Sequence, residues 1–178
     1  VICMNKIDLD KESQAEAVLP RYAQLGYITL LTSVVTGQGV AALRDVLKDK
    51  ASVIVGQSGV GKSSLLNVVQ PGLELKVGDI MEHIGKGRHT TSTASLIRLK
   101  VGGYVVDTPG IRTLDLSTVP RNEFEMFFTE FIRHVEGCKF SDCTHTHEDA
   151  CTVKRAVDTG QIHPDRYESY VRLFEELG

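Results

Sequence analysis

The sequence predicts an α/β fold, a mostly parallel sheet covered on both faces, followed by a small helical module. Two observations predict the sheet: short apolar runs alternate with amphipathic stretches through the first half, and a glycine-rich segment joins one such strand to a helix. A third predicts the module: beyond Pro120 the pattern turns helical and is interrupted by a dense Cys/His segment. The expected units are residues 1–120 and 121–178.

In chain order, Val1–Met4 reads as a buried strand end and 11–25 as a helix, with Pro20 as a point of interruption. Tyr27–Leu31 reads as a strand. Residues 40–50 read as a helix, because Val40, Leu43, Val46 and Leu47 share one face. Ser52–Val55 is the next strand and Lys62–Val69 the next helix. Residues 71–93 lack clear periodicity, and connectors of that length are usually functional. Ser95–Val101 and Tyr104–Val106 read as a hairpin turning at Gly102-Gly103. Helices are expected over 121–135, 152–158 and 164–177, with Pro164 in a first turn, where its missing N–H costs nothing.

Composition narrows the class. Of 178 residues, 42% are hydrophobic and 24% charged, and no apolar run approaches the length needed to cross a bilayer. Neither a signal peptide nor a membrane association is expected. The chain opens without Met in what reads as mid-strand, so a preceding segment is expected. Net charge is −3, with 7 Lys+Arg against 12 Asp+Glu in residues 121–178, so there is no overall basic footprint for nucleic acid. Any polyanion would meet a local patch, for which Arg88, Arg98, Lys100 and Arg112 are the candidates.

Gly56-Gln57-Ser58-Gly59-Val60-Gly61-Lys62-Ser63 follows an apolar strand and opens a helix, the context a phosphate-binding loop requires. Glycines let successive N–H groups turn toward phosphate oxygens, and the helix N-terminus adds partial positive charge. Lys62 would reach the β- and γ-phosphates, and the Ser63 hydroxyl would bind Mg²⁺. Asp107-Thr108-Pro109-Gly110 ends a hydrophobic strand. There Asp107 can hold a magnesium-bound water and the Gly110 N–H can sense the γ-phosphate.

Asn5-Lys6-Ile7-Asp8 points to guanine. The Asp8 carboxylate can accept from both N1–H and the 2-amino group, a donor pair adenine lacks. Asn5 would brace the loops, and the Lys6 stem would pack along the ring. In the loop Thr32–Gly37, Ser33 and Val34 would close on guanine O6 through backbone N–H groups. These base-reading motifs precede the phosphate loop, whereas in common GTPases they follow it. Either the domain is circularly permuted or the first motif belongs to a truncated neighbour. The single helix–strand–helix connection between them favours permutation. An ATPase with an incidental Asn-Lys-Ile-Asp is the competing reading.

Cys138-x4-Cys143-x-His145-x5-Cys151 offers three thiolates and one imidazole within 14 residues, a set suited to one tetrahedral, structural Zn²⁺ in a reducing compartment. His147 is an alternative to His145. Cys3 reads as a small buried hydrophobe.

The permuted order, the run Gly56–Asn67, Gly87-Arg88-His89-Thr90-Thr91, Asp107–Gly110 and the Cys/His cluster together resemble the ribosome small-subunit-dependent GTPases, the RsgA family. The resemblance covers essentially the whole chain. It implies a P-loop NTPase fold with a C-terminal helical zinc knuckle, and an N-terminal OB-fold ahead of Val1. It adds Ser64 to the nucleotide contacts and selects His145 over His147 as the zinc ligand. The implied activity is GTP hydrolysis to GDP in late maturation of the small ribosomal subunit, stimulated by that particle, by a monomeric cytoplasmic protein that contacts ribosomal RNA. A nucleotide-gated ribosome-binding module with negligible hydrolysis is the alternative. Many GTPases carry Gln just after Asp-x-x-Gly, but this chain has Ile111, so the water-orienting group must come from elsewhere. His89 is the candidate, on its chemistry and on the resemblance. Thr91, or else Thr90, would complete the Mg²⁺ shell.

Overall fold

A computed structural model describes residues 1–73, 95–107, 116 and 118–177. They fall into two compact units, Val1–Leu114 and Asp115–Gly178.

The first unit contains β1 (Ile2–Asn5), α1 (Gln14–Gln24), β2 (Thr29–Thr32), α2 (Val40–Leu47), β3 (Ala51–Val53), α3 (Lys62–Val69), β4 (Ser95–Arg98) and β5 (Tyr104–Asp107). β1 pairs with β2 in parallel, Ile2 opposite Thr29 and Asn5 opposite Thr32. β3 pairs in parallel with β5, and β4 runs antiparallel on its other side. The expected parallel character therefore holds except at the hairpin, where a tight connection permits only an antiparallel return. That turn is made at Gly102 and Gly103, at φ 89° and 84°, where the Gly102 N–H donates to Leu99 O at 3.1 Å.

The core of this unit lies between α2, α3 and the sheet of β3, β5 and β4. Val40, Leu43 and Leu47 of α2 are buried at helical spacing against Leu65, Leu66 and Val69 of α3 and against Leu99 and Val105. The Arg44 guanidinium donates to Val68 O at 2.6 Å and Val69 O at 2.9 Å, satisfying carbonyls the end of α3 leaves open. α1 is continuous through Pro20 rather than interrupted there. Pro20 is exposed, so the carbonyl its ring leaves unpaired can face water, while Ala15 and Leu19 stay buried. The start of α1 is capped by Asp10, which accepts from the N–H groups of Gln14 (3.0 Å) and Ala15 (2.7 Å).

The second unit contains a 3₁₀ helix Arg121–Phe127, then α4 (Ile132–Val135), α5 (Thr152–Asp158) and α6 (Pro164–Glu176). Its core is aromatic: Phe124, Phe128, Phe131, Tyr170 and Phe174 are buried with Val153, Ala156, Ile162, Cys143 and Cys151. The uninterrupted helix expected over 121–135 is instead broken between Phe127 and Ile132. A regular helix carrying Phe124, Phe128 and Phe131 inward would turn Glu130 away from the core. The break brings Glu130 inside as well, 6% exposed, where it accepts from Arg166 Nε of α6 at 2.6 Å. α6 begins at Pro164, and His163 Nδ1 accepts from the Asp165 N–H at 3.2 Å.

Candidate functional site

β3 delivers the chain into the phosphate loop, and α3 takes it out at Lys62. Gly59 and Gly61 stand at φ 81° and 96°, a region glycine enters freely and other residues enter at a cost. Ser63, in the first turn of α3, is buried. The Lys62 ammonium donates to Gly56 O at 2.6 Å and Gln57 O at 2.8 Å, so the lysine lies folded along its own loop. Ser58, Val60 and Ser64 complete the segment.

The upstream motif meets this loop in space. Asn5 Nδ2 donates to Val60 O at 2.9 Å, and Lys6 Nζ donates to Gly59 O at 2.7 Å. The approach is so close that a Cβ on Gly61 would overlap the Asn5 amide nitrogen. Lys6 itself adopts φ 66°, which swings Ile7–Leu9 into a 3₁₀ turn and presents Asp8 at the surface. Ser33, fully buried at the end of β2, donates its hydroxyl to Asp8 Oδ1 at 2.5 Å and accepts the Thr36 N–H at 3.1 Å. Thr32, equally buried, donates to Asn5 Oδ1 at 3.2 Å. Val34 follows in the same turn, partly buried. Two parallel strands thus hold the Asp8 carboxylate, the candidate base reader, beside the phosphate loop, and one of its oxygens is already oriented.

Cys3 departs from expectation, because it is exposed. Its side of β1 faces a cavity of about 780 Å³ bounded by Leu43, Leu47, Val53 and Val55, so the thiol is not packed into the core. The thiol lies 3.2 Å from Thr32 Oγ1. Asp107 ends β5, as its motif requires. His89, Thr90, Thr91, Gly110 and Ile111, with Arg88 and Arg112 of the suspected basic patch, lie outside the described residues.

In the second unit the sulfurs of Cys138, Cys143 and Cys151 and a ring nitrogen of His145 lie within 4.8 Å of one another, a set that could hold a metal ion. His145 Nδ1 faces Cys151 Sγ at 3.3 Å and Cys138 Sγ at 3.6 Å. His147, the alternative ligand, is 81% exposed and lies outside the cluster. Burial pushes the Cys143 thiol up to about 12 and raises Cys151, although backbone N–H groups of His145 and Lys154 oppose it. Burial acts the same way on Cys138, but its side-chain and backbone hydrogen bonding with Thr152 outweighs it and leaves that thiol below its usual value. A cation shared by the three sulfurs and the ring nitrogen would offset the charge of the thiolates it binds.

Residues that the motifs did not single out surround the cluster. Glu125 Oε2 lies 2.8 Å from His145 Nε2. Glu148 accepts from Thr144 N at 2.6 Å, Thr144 Oγ1 at 2.8 Å and Thr146 N at 3.1 Å, closing the turn around His145. Tyr167 donates to His145 O at 2.7 Å and Tyr170 to Thr144 O at 3.0 Å. Glu148, three residues before Cys151 in an Asx/Thr-rich stretch, was within reach of turn chemistry; Glu125 has no local signal in the sequence.

A phosphate loop cross-tied to an upstream Asn-Lys-x-Asp within one unit defines a circularly permuted GTPase fold of the P-loop class. The RsgA GTPase family model matches residues 1–117, and the chain belongs to that family. It is 44% identical over 177 residues to the small ribosomal subunit biogenesis GTPase RsgA of Caldanaerobacter subterraneus, which covers 99% of this chain and 60% of the relative. It is similar to the solved structures of YjeQ from Thermotoga maritima (42% identity, TM-score 0.81, 98% of this chain and 58% of that one) and of YloQ, described as a circularly permuted GTPase (34%, TM-score 0.75, 99% and 56%). The chain thus spans about 60% of the length of the curated relatives it matches. Among the described residues no helix is long and apolar enough to cross a membrane.

Proposed function

We propose that this chain is the GTP-hydrolysing and zinc-binding part of a factor that matures the small ribosomal subunit. The observation that carries the reading is the double tie of Asn5 and Lys6 to the phosphate-loop carbonyls, with Asp8 held by Ser33. One ligand that bridges both motifs must present a guanine edge at Asp8 and phosphates at Gly59–Ser63, and GTP does both. The names of the relatives support the ribosomal role.

In this reading Lys62 leaves the Gly56 and Gln57 carbonyls for the β- and γ-phosphates. Ser63, Asp107 and Thr91 hold Mg²⁺, directly or through water, and the ion when bound offsets charge on the phosphates. Gly110 senses the γ-phosphate, and His89 orients the attacking water in place of the missing Gln. Cys138, Cys143, His145 and Cys151 hold one structural Zn²⁺. The protein works in the cytoplasm as a monomer and binds ribosomal RNA through the particle. The functional division lies at 120/121.

The test is hydrolysis of GTP, ATP and xanthosine triphosphate with and without small subunits, for wild type, Asp8→Asn and His89→Ala. We expect GTP-selective turnover that the particle accelerates, lost by about 100-fold or more in His89→Ala. Asp8→Asn should shift preference toward the xanthine nucleotide, whose 2-oxo group suits an amide donor. Equal use of ATP, or an unshifted preference, would overturn the guanine reading. Nucleotide-dependent binding to the particle without acceleration would make the chain a gated binding module instead.

A further inference from the structure

We infer that Glu125 is a positioning residue of the metal centre, fixing the His145 tautomer whose Nδ1 lone pair faces the thiols of Cys138 and Cys151. The inference rests on the zinc reading above and extends it to a residue 13 positions ahead of Cys138 in the chain.

The chemistry follows from the two ends of one ring. A carboxylate can only accept, so the short contact between Glu125 Oε2 and His145 Nε2, 2.8 Å, places a proton on Nε2. In the neutral ring Nδ1 is then bare, and Nδ1 is the nitrogen that faces Cys151 and Cys138. The opposite tautomer would aim an N–H at the sulfurs and leave two acceptors in contact at the other end. His145 is 1% exposed, so water does not compete freely for either nitrogen. The rest of the residue is held as well: its backbone stands at φ 60°, its carbonyl accepts from Tyr167, and its ring packs edge-on against Phe131 at 6.0 Å. With backbone and ring plane set, the proton's location is the remaining freedom, and Glu125 removes it. A carboxylate on the far nitrogen also makes the imidazole a more basic ligand.

Glu125 belongs to the 3₁₀ helix Arg121–Phe127, whose Phe124 is buried against Tyr170 and Phe174. The hydrogen bond to Glu125 therefore adds a second link to the aromatic core, beside the direct packing of the His145 ring on Phe131 and Tyr170.

The test measures Zn²⁺ affinity of the whole chain by competition with a chromophoric chelator, alongside long-range ¹H–¹⁵N spectra of the histidine rings. In the wild-type zinc form we expect His145 bound through Nδ1 with a protonated Nε2. Glu125→Ala should weaken Zn²⁺ binding by about 10- to 100-fold. Glu125→Gln, which keeps an acceptor without charge, should bind within about tenfold of wild type and keep the Nε2–H signal. Zinc on Nε2 in the wild type, or Glu125→Ala binding as tightly as wild type, would overturn the inference while leaving the zinc reading intact. A wild-type chain that takes up no Zn²⁺ would bring down both. Should Glu125→Ala not fold, the wild-type spectrum and the Glu125→Gln variant decide alone, and loss of the Nε2–H signal in Glu125→Gln counts against it.

Discussion

Replacing Asn5 with Ala removes two hydrogen bonds, the donation to Val60 O at 2.9 Å and the acceptance from Thr32 Oγ1 at 3.2 Å. Thr32 is not orphaned by the change, because its hydroxyl still reaches Met4 O at 3.4 Å. The loss is therefore two net bonds with no buried unpaired group, each worth about 0.5–1.5 kcal/mol. Together they amount to about 1–3 kcal/mol, or roughly 5- to 150-fold in nucleotide affinity if the bound loop geometry depends on the tie. The assay is titration of a fluorescent GDP analogue against wild type and Asn5→Ala, with urea unfolding of both to separate affinity from folding. The informative part of the outcome is where the loss falls. If the motif at 5–8 shapes the phosphate loop, binding of GDP weakens by more than binding of guanosine, because a tie to Val60 acts on the phosphate end. Asn5→Ala binding GDP within about twofold of wild type would refute the reasoning, since it would make the contact incidental to a loop that holds its shape alone.

Gly61→Ala puts a Cβ against the Asn5 amide at a residue with φ 96°, and should cost about 1–2 kcal/mol from the backbone alone. We expect a lowered unfolding midpoint and at least tenfold weaker GDP binding, read in the same two assays; unchanged values in both would show that the loop relaxes freely. Glu148→Gln tests the turn around His145. Burial by itself would raise this carboxyl, but hydrogen bonds from Thr144 outweigh it and hold it at about 2, down from 4.5. A depressed carboxyl stabilises the folded state above its unfolded value and loses that contribution as pH falls toward its folded one. The stability difference between wild type and Glu148→Gln, measured by urea unfolding of the metal-free chain, should therefore be full at pH 7 and shrink between pH 4.5 and about 2. A difference independent of pH would assign the effect to packing.

What was legible in the sequence and what was not divide along one physical line. Gly56–Ser63 could be read because backbone curvature and phosphate chemistry constrain eight consecutive residues, so the whole site is local. The Cys/His cluster was similarly compact, and the structure brings the same four side chains together. Asn5–Asp8 needed a second motif to become meaningful, and its contacts to Gly59 and Val60 span more than fifty residues. Glu125 was invisible because its meaning depends on a partner 20 residues away. The break after Phe127 was missed because periodicity registers the three phenylalanines but not a buried Glu130 paired with the distant Arg166. Cys3 was misplaced because alternation along a four-residue strand says which residues share a face, not whether that face is covered.

The inverted order of the motifs leaves the contacts between them intact. A nucleotide site depends on which residues meet, not on which come first, and here each motif arrives on a strand of its own: Asn5 at the end of β1, the phosphate loop after β3. Between them α1, β2 and α2 form one connection, and β2 uses its last residue and the next, Thr32 and Ser33, to hold Asn5 and Asp8. The connecting segment is thus part of the site rather than a tether between its halves. Because β2 lies parallel to β1 with Thr32 opposite Asn5, a shift of one residue in that register would turn Thr32 to the other face and release Asn5. Asn5 with Thr32 and Asp8 with Ser33 consequently form two hydrogen-bonded pairs at one strand end, and substitutions within each pair should couple rather than add. The ties of Asn5 to Val60 and of Lys6 to Gly59 are what make the motif ahead of the phosphate loop part of the same unit as the loop itself.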